Sequence, residues 1–151
     1  MKSLRHDIWD IWDNGYTICI CTNGFVKKNG DAVMGRGLAY EAAKKFPNLQ
    51  REFGNRLKEV GNVVDWWPKY RIFTFPTKHN WREESNIDLI RKSCKSLNEW
   101  STQRGVGLLK GLVFLPIPGI GNGKLDKKLV MPILEDEFDG NEYIVIVEKP
   151  C

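Results

Sequence analysis

The stretch that decides the fold is Tyr16-Thr17-Ile18-Cys19-Ile20-Cys21-Thr22, which is followed directly by Asn23-Gly24. It consists of β-branched and apolar residues and ends at a turn signal, so it predicts a buried strand. Apolar residues then recur at helical spacing over 38–46 and stop before Pro47, which predicts a helix after the strand. A strand, a long loop and a helix in that order are typical of an α/β protein.

The same alternation continues outward from this unit. Helices are predicted around Leu49–Val60, after a cap at Ser85, and over Leu129–Phe138, which Pro132 must start or kink; strands are predicted at Val63–Trp67, Tyr70–Phe75, Leu112–Leu115 and Tyr143–Val147. Strands that alternate with helices predict the α/β class, with a largely parallel or mixed sheet that carries helices on both faces.

Length and composition fit one domain spanning residues 1–151. Apolar residues make up 42% of the chain and charged residues 28%, as in proteins with an ordinary core. The sequence contains neither a long apolar run nor a signal peptide, so we expect a cytoplasmic protein with no membrane partner. The net charge of +4 is mild and the basic residues are scattered, which argues against stable nucleic-acid binding.

The cysteines and histidines do not form a metal-binding pattern. The chain has four cysteines and two histidines and no C-x-x-C motif, so no metal and no cofactor are expected. Cys19 and Cys21 lie two apart in a predicted strand and point to one face. We interpret them as buried free thiols in a reducing cytosol.

Three loops follow the predicted strands at 22–37, Pro76–His79 and Pro116–Gly123. If the strands run parallel, these loops share the edge of the sheet at which such folds bind ligands. Gly30–Gly37 runs into a helix, and Gly119–Gly123 has three glycines in five residues. Glycine lets backbone N–H groups approach an anion, so the two loops predict a diphosphate site, although the first is equally typical of a structural turn.

Neither loop matches the dinucleotide or Walker A motifs. Asn23-Gly24 with Val33–Ala39 (VMGRGLA) instead resembles the first ligand loop of macrodomains, and Pro116–Asp126 (PIPGIGNGKLD) resembles their second. Phe75–Arg82 is similar to a segment of the bacterial and phage branch. This branch includes antitoxin macrodomains that remove ADP-ribose from DNA bases and terminal ADP-ribose glycohydrolases.

The resemblance extends in order from Asp7 to Val147 and implies a three-layer α/β/α sandwich with a central mixed, largely parallel sheet. It also implies a site for ADP-ribose. Asp7 and Ile8 would contact adenine, with Asp10 as a rival for the acidic position. Asn23 would contact the distal ribose, and Gly35, Arg36 and Gly37 would hold the phosphate nearer that ribose. The diphosphate would be held from the other side by the second loop, which consists of Gly119, Ile120, Gly121, Asn122 and Gly123.

In the glycohydrolase branch a lysine and an aspartate carry out the chemistry, and Lys78 and Asp126 match them in context. Cleavage of the anomeric bond gives that carbon oxocarbenium character, which a carboxylate stabilises, while a lysine attacks the open-chain aldehyde or holds the substrate. The residues themselves leave alternatives open. Lys78 also fits a surface lysine or a phosphate clamp, and Asp126 fits a helix N-cap.

Three functions are compatible with such a site. The first is a hydrolase that removes ADP-ribose from a carboxylate side chain or a nucleobase. The second is a phosphatase acting on ADP-ribose 1″-phosphate, and the third is a non-catalytic binder of ADP-ribose or a related nucleotide derived from NAD. The expected partner is therefore ADP-ribose or an ADP-ribosylated protein or DNA. The sequence leaves the acceptor and the oligomeric state open.

Overall fold

A computed structural model of the chain describes residues 1–102 and 111–151. The strands are β1 (Lys2–Leu4), β2 (Thr17–Asn23), β3 (Asp65–Trp67), β4 (Ile72–Lys78), β5 (Val113–Ile117) and β6 (Ile144–Pro150). The helices are α1 (Ile8–Asp13), α2 (Gly37–Lys45), α3 (Leu49–Val60), α4 (Ile87–Thr102) and α5 (Lys127–Glu137). Within these two described ranges, no helix combines the length and the apolarity needed to cross a membrane.

The strands form one sheet in the order β1-β6-β5-β2-β4-β3. β2 lies between β4 and β5 and is parallel to both, with Ile18 opposite Ile72 on one side and Phe114 on the other. β6 and β1 continue the parallel part, and only β3 among the described strands pairs antiparallel, at the β4 edge. The prediction of a mixed, largely parallel sheet is therefore confirmed.

Alternate residues of the central strands face two separate cores. Ile18 and Ile20 belong to a core that also contains apolar residues of α1, α2 and α3. Cys19, on the opposite face, belongs to a second core with apolar residues of α4 and α5. Because successive side chains of a strand point to opposite faces, a central strand between two helical layers is apolar on both faces. The α/β/α sandwich follows directly.

Several local predictions need correction. Ser85 does not cap α4, because the Asn86 side chain accepts the hydrogen bond from the Leu89 N–H at 2.9 Å. Pro132 lies inside α5, five residues after its first residue, and does not start that helix. The sequence analysis missed β1 and α1 because they are too short, at three and six residues, to give a periodic signal.

The interpretation of the cysteines is correct for Cys19 and wrong for Cys21. Cys19 and Cys94 are buried free thiols. Cys21 forms a disulfide with Cys151, although the two residues are 130 positions apart in the chain. Sequence spacing cannot indicate such a pair, because the sheet brings β6 and β2 to opposite sides of β5.

The packing of α3 on the first loop gives a testable prediction about stability. A Cβ on Gly54 would overlap the Gly30 carbonyl oxygen and lie 2.9 Å from the Ala32 nitrogen. Gly54→Ala gains about 1 kcal/mol of helix propensity, but forcing backbone apart costs roughly 1–3 kcal/mol. We expect a net loss of stability in urea unfolding. Gly35→Ala is the control, because that Cβ meets nothing within 4 Å; equal stability of both variants would contradict the packing.

Candidate functional site

The carboxyl ends of β2, β4 and β5 lie at the same edge of the sheet, because β2 is parallel to both neighbours; β2 pairs with β4 from Ile18 to Asn23 and with β5 at Thr17 and Ile18. Asn23 at the end of β2 is opposite Lys78 at the end of β4, after a register shift between Thr22 and Asn23. The Gly24 N–H donates to the His79 carbonyl oxygen at 3.2 Å. The first loop and the segment after β4 are therefore hydrogen-bonded neighbours at one edge of the sheet.

The first loop is divided into a packed part and an exposed part. Gly30 is buried against Gly54 of α3, and the Ala32 N–H donates to the Gln50 carbonyl oxygen at 2.9 Å. Ala32 and Met34 are core residues. Gly35, Arg36 and Gly37 are exposed. Of the predicted phosphate loop Gly30–Gly37, the exposed part is Gly35–Gly37, and Gly30 has a packing role.

Asn23 holds the first loop in place. Its side-chain Nδ2 donates to the Val33 carbonyl oxygen at 3.1 Å, and its Oδ1 accepts from the Phe25 N–H at 3.0 Å. An amide side chain has two donor hydrogens and two acceptor lone pairs, so one of each is left for a ligand. The predicted contact of Asn23 with ribose is compatible with this bracing role.

Helix α2 begins at this loop without a side-chain cap. Arg36 occupies the N-cap position in an extended conformation, and its side chain makes no capping hydrogen bond. Gly37 has a φ of +60°, a conformation that side chains disfavour. The first N–H groups of a helix have no intrahelical acceptor and carry partial positive charge, which suits an anion.

The second loop has a packing reason for each of its three glycines. A Cβ on Gly119 would lie 2.7 Å from Ile90, and a Cβ on Gly123 would overlap the Ser85 hydroxyl. A Cβ on Gly121 would lie 3.0 Å from Pro150. Close packing therefore accounts for glycine at these positions even without a ligand, which weakens the inference from glycine density alone.

A pocket of about 430 Å³ lies between the two loops. Five residues predicted for the ligand line it: Asp7, Ile8, Gly37, Gly121 and Asn122. Leu38 and Pro116, which belong to the two predicted ligand loops, line it as well. Four further lining residues at the end of β6 and beyond it, and Glu41 of α2, were not predicted: Val147, Lys149, Pro150 and Cys151. No local pattern indicates these four, because β6 reaches the pocket by pairing with β5. In the described part of the chain, no aromatic side chain lines this pocket.

Of the two acidic residues predicted for adenine, Asp7 and Asp10, the fold brings Asp7 to the pocket. Its Oδ1 caps α1 by accepting from the N–H groups of Trp9 and Asp10 at 2.9 and 3.1 Å. Asp7 lines the pocket, whereas the rival Asp10 is not among the lining residues. The geometry therefore favours Asp7 for the adenine contact that the sequence analysis predicted.

Lys78 connects the two halves of the site. It is half-buried, and its Nζ donates to the Asn122 carbonyl oxygen in the second loop at 3.2 Å. Its own carbonyl oxygen accepts from the Asn62 side chain at 2.9 Å. Burial lowers the pKa of Lys78 below its ordinary value, and the positive charges of Arg36 and Lys124 lower the pKa further.

Asp126 serves as the N-cap of α5. Its Oδ1 accepts from the Lys128 N–H at 2.9 Å, and its side chain is exposed. The hydrogen bond of Lys78 goes to Asn122 and not to this carboxylate. The structure therefore brings Lys78 to the glycine loops, whereas the position of Asp126 is explained by helix capping.

Comparison with known proteins extends these observations. No family model matches the sequence. A curated relative, the DNA ADP-ribosyl glycohydrolase of Thermus aquaticus, is 26% identical over 137 residues, which cover 81% of this chain. The match covers 37% of that relative, so the chain spans little more than a third of its length.

Solved structures share the fold. The macrodomain of Thermus aquaticus DarG superimposes with a TM-score of 0.73 at 23% identity and 97% coverage of both chains. Thermosipho africanus DarTG in complex with ADP-ribose gives a TM-score of 0.70 at 22% identity, covering 90% of this chain and 38% of that one. The chain therefore has the macrodomain fold, and the predicted resemblance to the DarG-like branch is confirmed.

Proposed function

We propose that this macrodomain binds ADP-ribose in the pocket between the glycine loops and hydrolyses the bond that joins ADP-ribose to an acceptor. The main support is the convergence at one sheet edge of Gly35–Gly37, the second loop and Lys78. Asp7, Ile8, Gly37, Gly121 and Asn122 line this pocket; we assign Asp7 and Ile8 to adenine and the two loops to the diphosphate. The solved relative with bound ADP-ribose supports the choice of ligand.

The electrostatics favour an anionic ligand. Burial lowers the pKa of Lys78 most, and the positive charges of Arg36 and Lys124 lower it further, so three cationic side chains lie near the two loops. A diphosphate would relieve their mutual repulsion, and the uncapped start of α2 would add N–H donors. Binding of a diphosphate is thus expected to raise the pKa of Lys78 again.

Hydrolysis requires that the anomeric C–O or C–N bond breaks, that water supplies a hydroxyl to the anomeric carbon, and that a proton reaches the acceptor. An amine with a lowered pKa is more often uncharged near neutral pH, which suits proton transfer or attack on the open-chain aldehyde. Lys78 is the side chain that combines this pKa shift with a place beside both loops. Asp126 is the proposed carboxylate that would stabilise positive charge at the anomeric carbon.

A non-catalytic binder is the second candidate. One observation favours it: a capping hydrogen bond and solvent exposure account for Asp126 without any chemistry. Lys78 would then act as a clamp that holds the second loop through Asn122. The hydrolase and the non-catalytic binder would bind the same ligand, and they differ in whether the protein hydrolyses the bond between ADP-ribose and an acceptor.

Turnover of three substrates separates these functions. We expect the protein to release ADP-ribose from a glutamate-linked ADP-ribosyl protein or a thymidine-linked ADP-ribosyl DNA, with ADP-ribose 1″-phosphate as the test for phosphatase activity. Lys78→Ala should lower turnover at least about 100-fold, because general acid–base groups contribute that much or more. Chromatography of the released ADP-ribose measures each rate.

Asp126→Asn is the matched control for the carboxylate, because asparagine caps a helix as well as aspartate does. A large loss of turnover in Asp126→Asn with unchanged stability would support a catalytic role. Full turnover of Lys78→Ala on every substrate that the parent cleaves would contradict the assignment of Lys78. An inactive parent that still binds ADP-ribose would favour the non-catalytic binder.

The pKa of Lys78 can be followed without any substrate. Because burial and neighbouring positive charge both favour the uncharged amine, Lys78 should react with acetic anhydride at lower pH than an exposed lysine such as Lys92. Lys124→Ala removes one neighbouring positive charge and should move the midpoint of Lys78 acetylation toward higher pH. Mass spectrometry of the extent of acetylation as a function of pH gives the midpoint for each lysine. The electrostatic explanation would be contradicted if Lys78 had the same midpoint as Lys92, or if the Lys78 midpoint were the same in Lys124→Ala as in the parent.

A further inference from the structure

Pro150 and Cys151 form the wall of the pocket where the two glycine loops approach each other. The Pro150 Cβ lies 3.0 Å from the point that a Cβ on Gly121 would occupy. The Cys151 carbonyl oxygen lies 3.0 Å from the corresponding point on Gly37, and the Asn122 side-chain nitrogen lies 3.3 Å from that same point. The first loop, the second loop and Cys151 therefore meet at the start of α2.

A disulfide holds Cys151 at this position. The Cys151 N–H donates to the Ile117 carbonyl oxygen at the end of β5, at 3.2 Å. Its sulfur is bonded to Cys21 in β2, two residues before Asn23. The bond thus joins the segment after β6 to β2 across the end of β5, directly beneath the proposed site.

This arrangement conflicts with a bound diphosphate. The N–H groups at the start of α2 are the donors that a phosphate would use, and the Cys151 carbonyl oxygen lies beside Gly37, the first residue of that helix. Two oxygens with negative partial charge cannot share such a position without repulsion. A phosphate bound to these donors would lie close to the Cys151 carbonyl oxygen, and the covalent link to β2 restricts the movement of Cys151 that would separate them.

We propose that the Cys21–Cys151 pair is a redox modification site that controls access of ADP-ribose to the pocket. The proposal rests on the proposed function for its ligand. The disulfide state keeps Cys151 between the loops and weakens binding, and the dithiol state releases it. In the opening step a dithiol reductant attacks the disulfide, each protein sulfur receives one electron and one proton, and the reductant leaves as its own disulfide.

The other cysteines do not compete in this exchange. Burial raises the pKa of Cys19 well above its ordinary value, and burial raises the pKa of Cys94 to about 12. The thiolate is the attacking species, so both remain inert. Cys21 and Cys151 are each partly exposed, in contrast to the fully buried Cys19 and Cys94.

Calorimetric titration with ADP-ribose tests the proposal on the full chain in both redox states. After the state has been verified by mass, the reduced protein should bind at least about tenfold more tightly than the oxidised protein, within the usual range of coupling between sites. Cys151→Ser should bind like the reduced protein and should not respond to reductant. Equal affinity in the two states, or tighter binding by the oxidised state, would overturn the proposal.

Hydrogen exchange separates a failure of this proposal from a failure of the proposed function. Amides of Gly35–Gly37 and Gly119–Gly123 should exchange more slowly in the oxidised protein than in the reduced protein or Cys151→Ser. This difference does not depend on any ligand. If no form binds ADP-ribose, the proposed function fails, and the exchange data alone decide whether the disulfide controls the loops; equal exchange in all three samples overturns that control.

Discussion

The parallel pairing of β2 with both β4 and β5 is the constraint on which the rest of this structure depends. A strand that is hydrogen-bonded on both sides and covered by helices on both faces has no freedom to slip, because a shift by one residue would exchange its two apolar faces. The carboxyl ends of three strands are thereby fixed at one edge. Asn23, Lys78 and Pro116–Gly123 are brought together by this pairing although they are far apart in the chain.

The glycines of the site serve packing and ligand access together. Gly119 and Gly123 let the second loop lie against Ile90 and Ser85, and Gly121 lets it lie against Pro150. A loop packed this closely on the protein keeps its backbone N–H groups in place before any ligand arrives, and such preorganisation reduces the entropy cost of binding. A packing explanation for these glycines is therefore compatible with the proposed phosphate site.

The sequence predicted the parts of the fold that are local and strongly periodic. Helix α3 begins and ends where its apolar spacing and Gly61 indicated, and the buried strand at Tyr16–Thr22 lies within one residue of β2. Motif resemblance supplied Asp7, Gly37 and Asn122, which do line one pocket.

Long-range contacts could not be predicted in this way. The disulfide of Cys21 with Cys151 and the pocket wall from Val147 to Cys151 depend on the order of strands in the sheet, which no local pattern encodes. The N-cap of α4 is Asn86 and not the predicted Ser85, a shift of one residue that is within the usual uncertainty of helix boundaries. Lys78 and Asp126 were both assigned by their motif context, and of the two side chains only Lys78 donates a hydrogen bond to a glycine loop.

The most direct test of the account is to follow backbone amide resonances of the reduced protein during titration with ADP-ribose. The account predicts saturable shifts concentrated at Asp7 and Ile8, at Gly35–Gly37 and at Gly119–Gly123, with the opposite end of the sheet unchanged. Saturable shifts centred elsewhere, or no shifts at millimolar ADP-ribose, would contradict the claim that the two glycine loops form an ADP-ribose site.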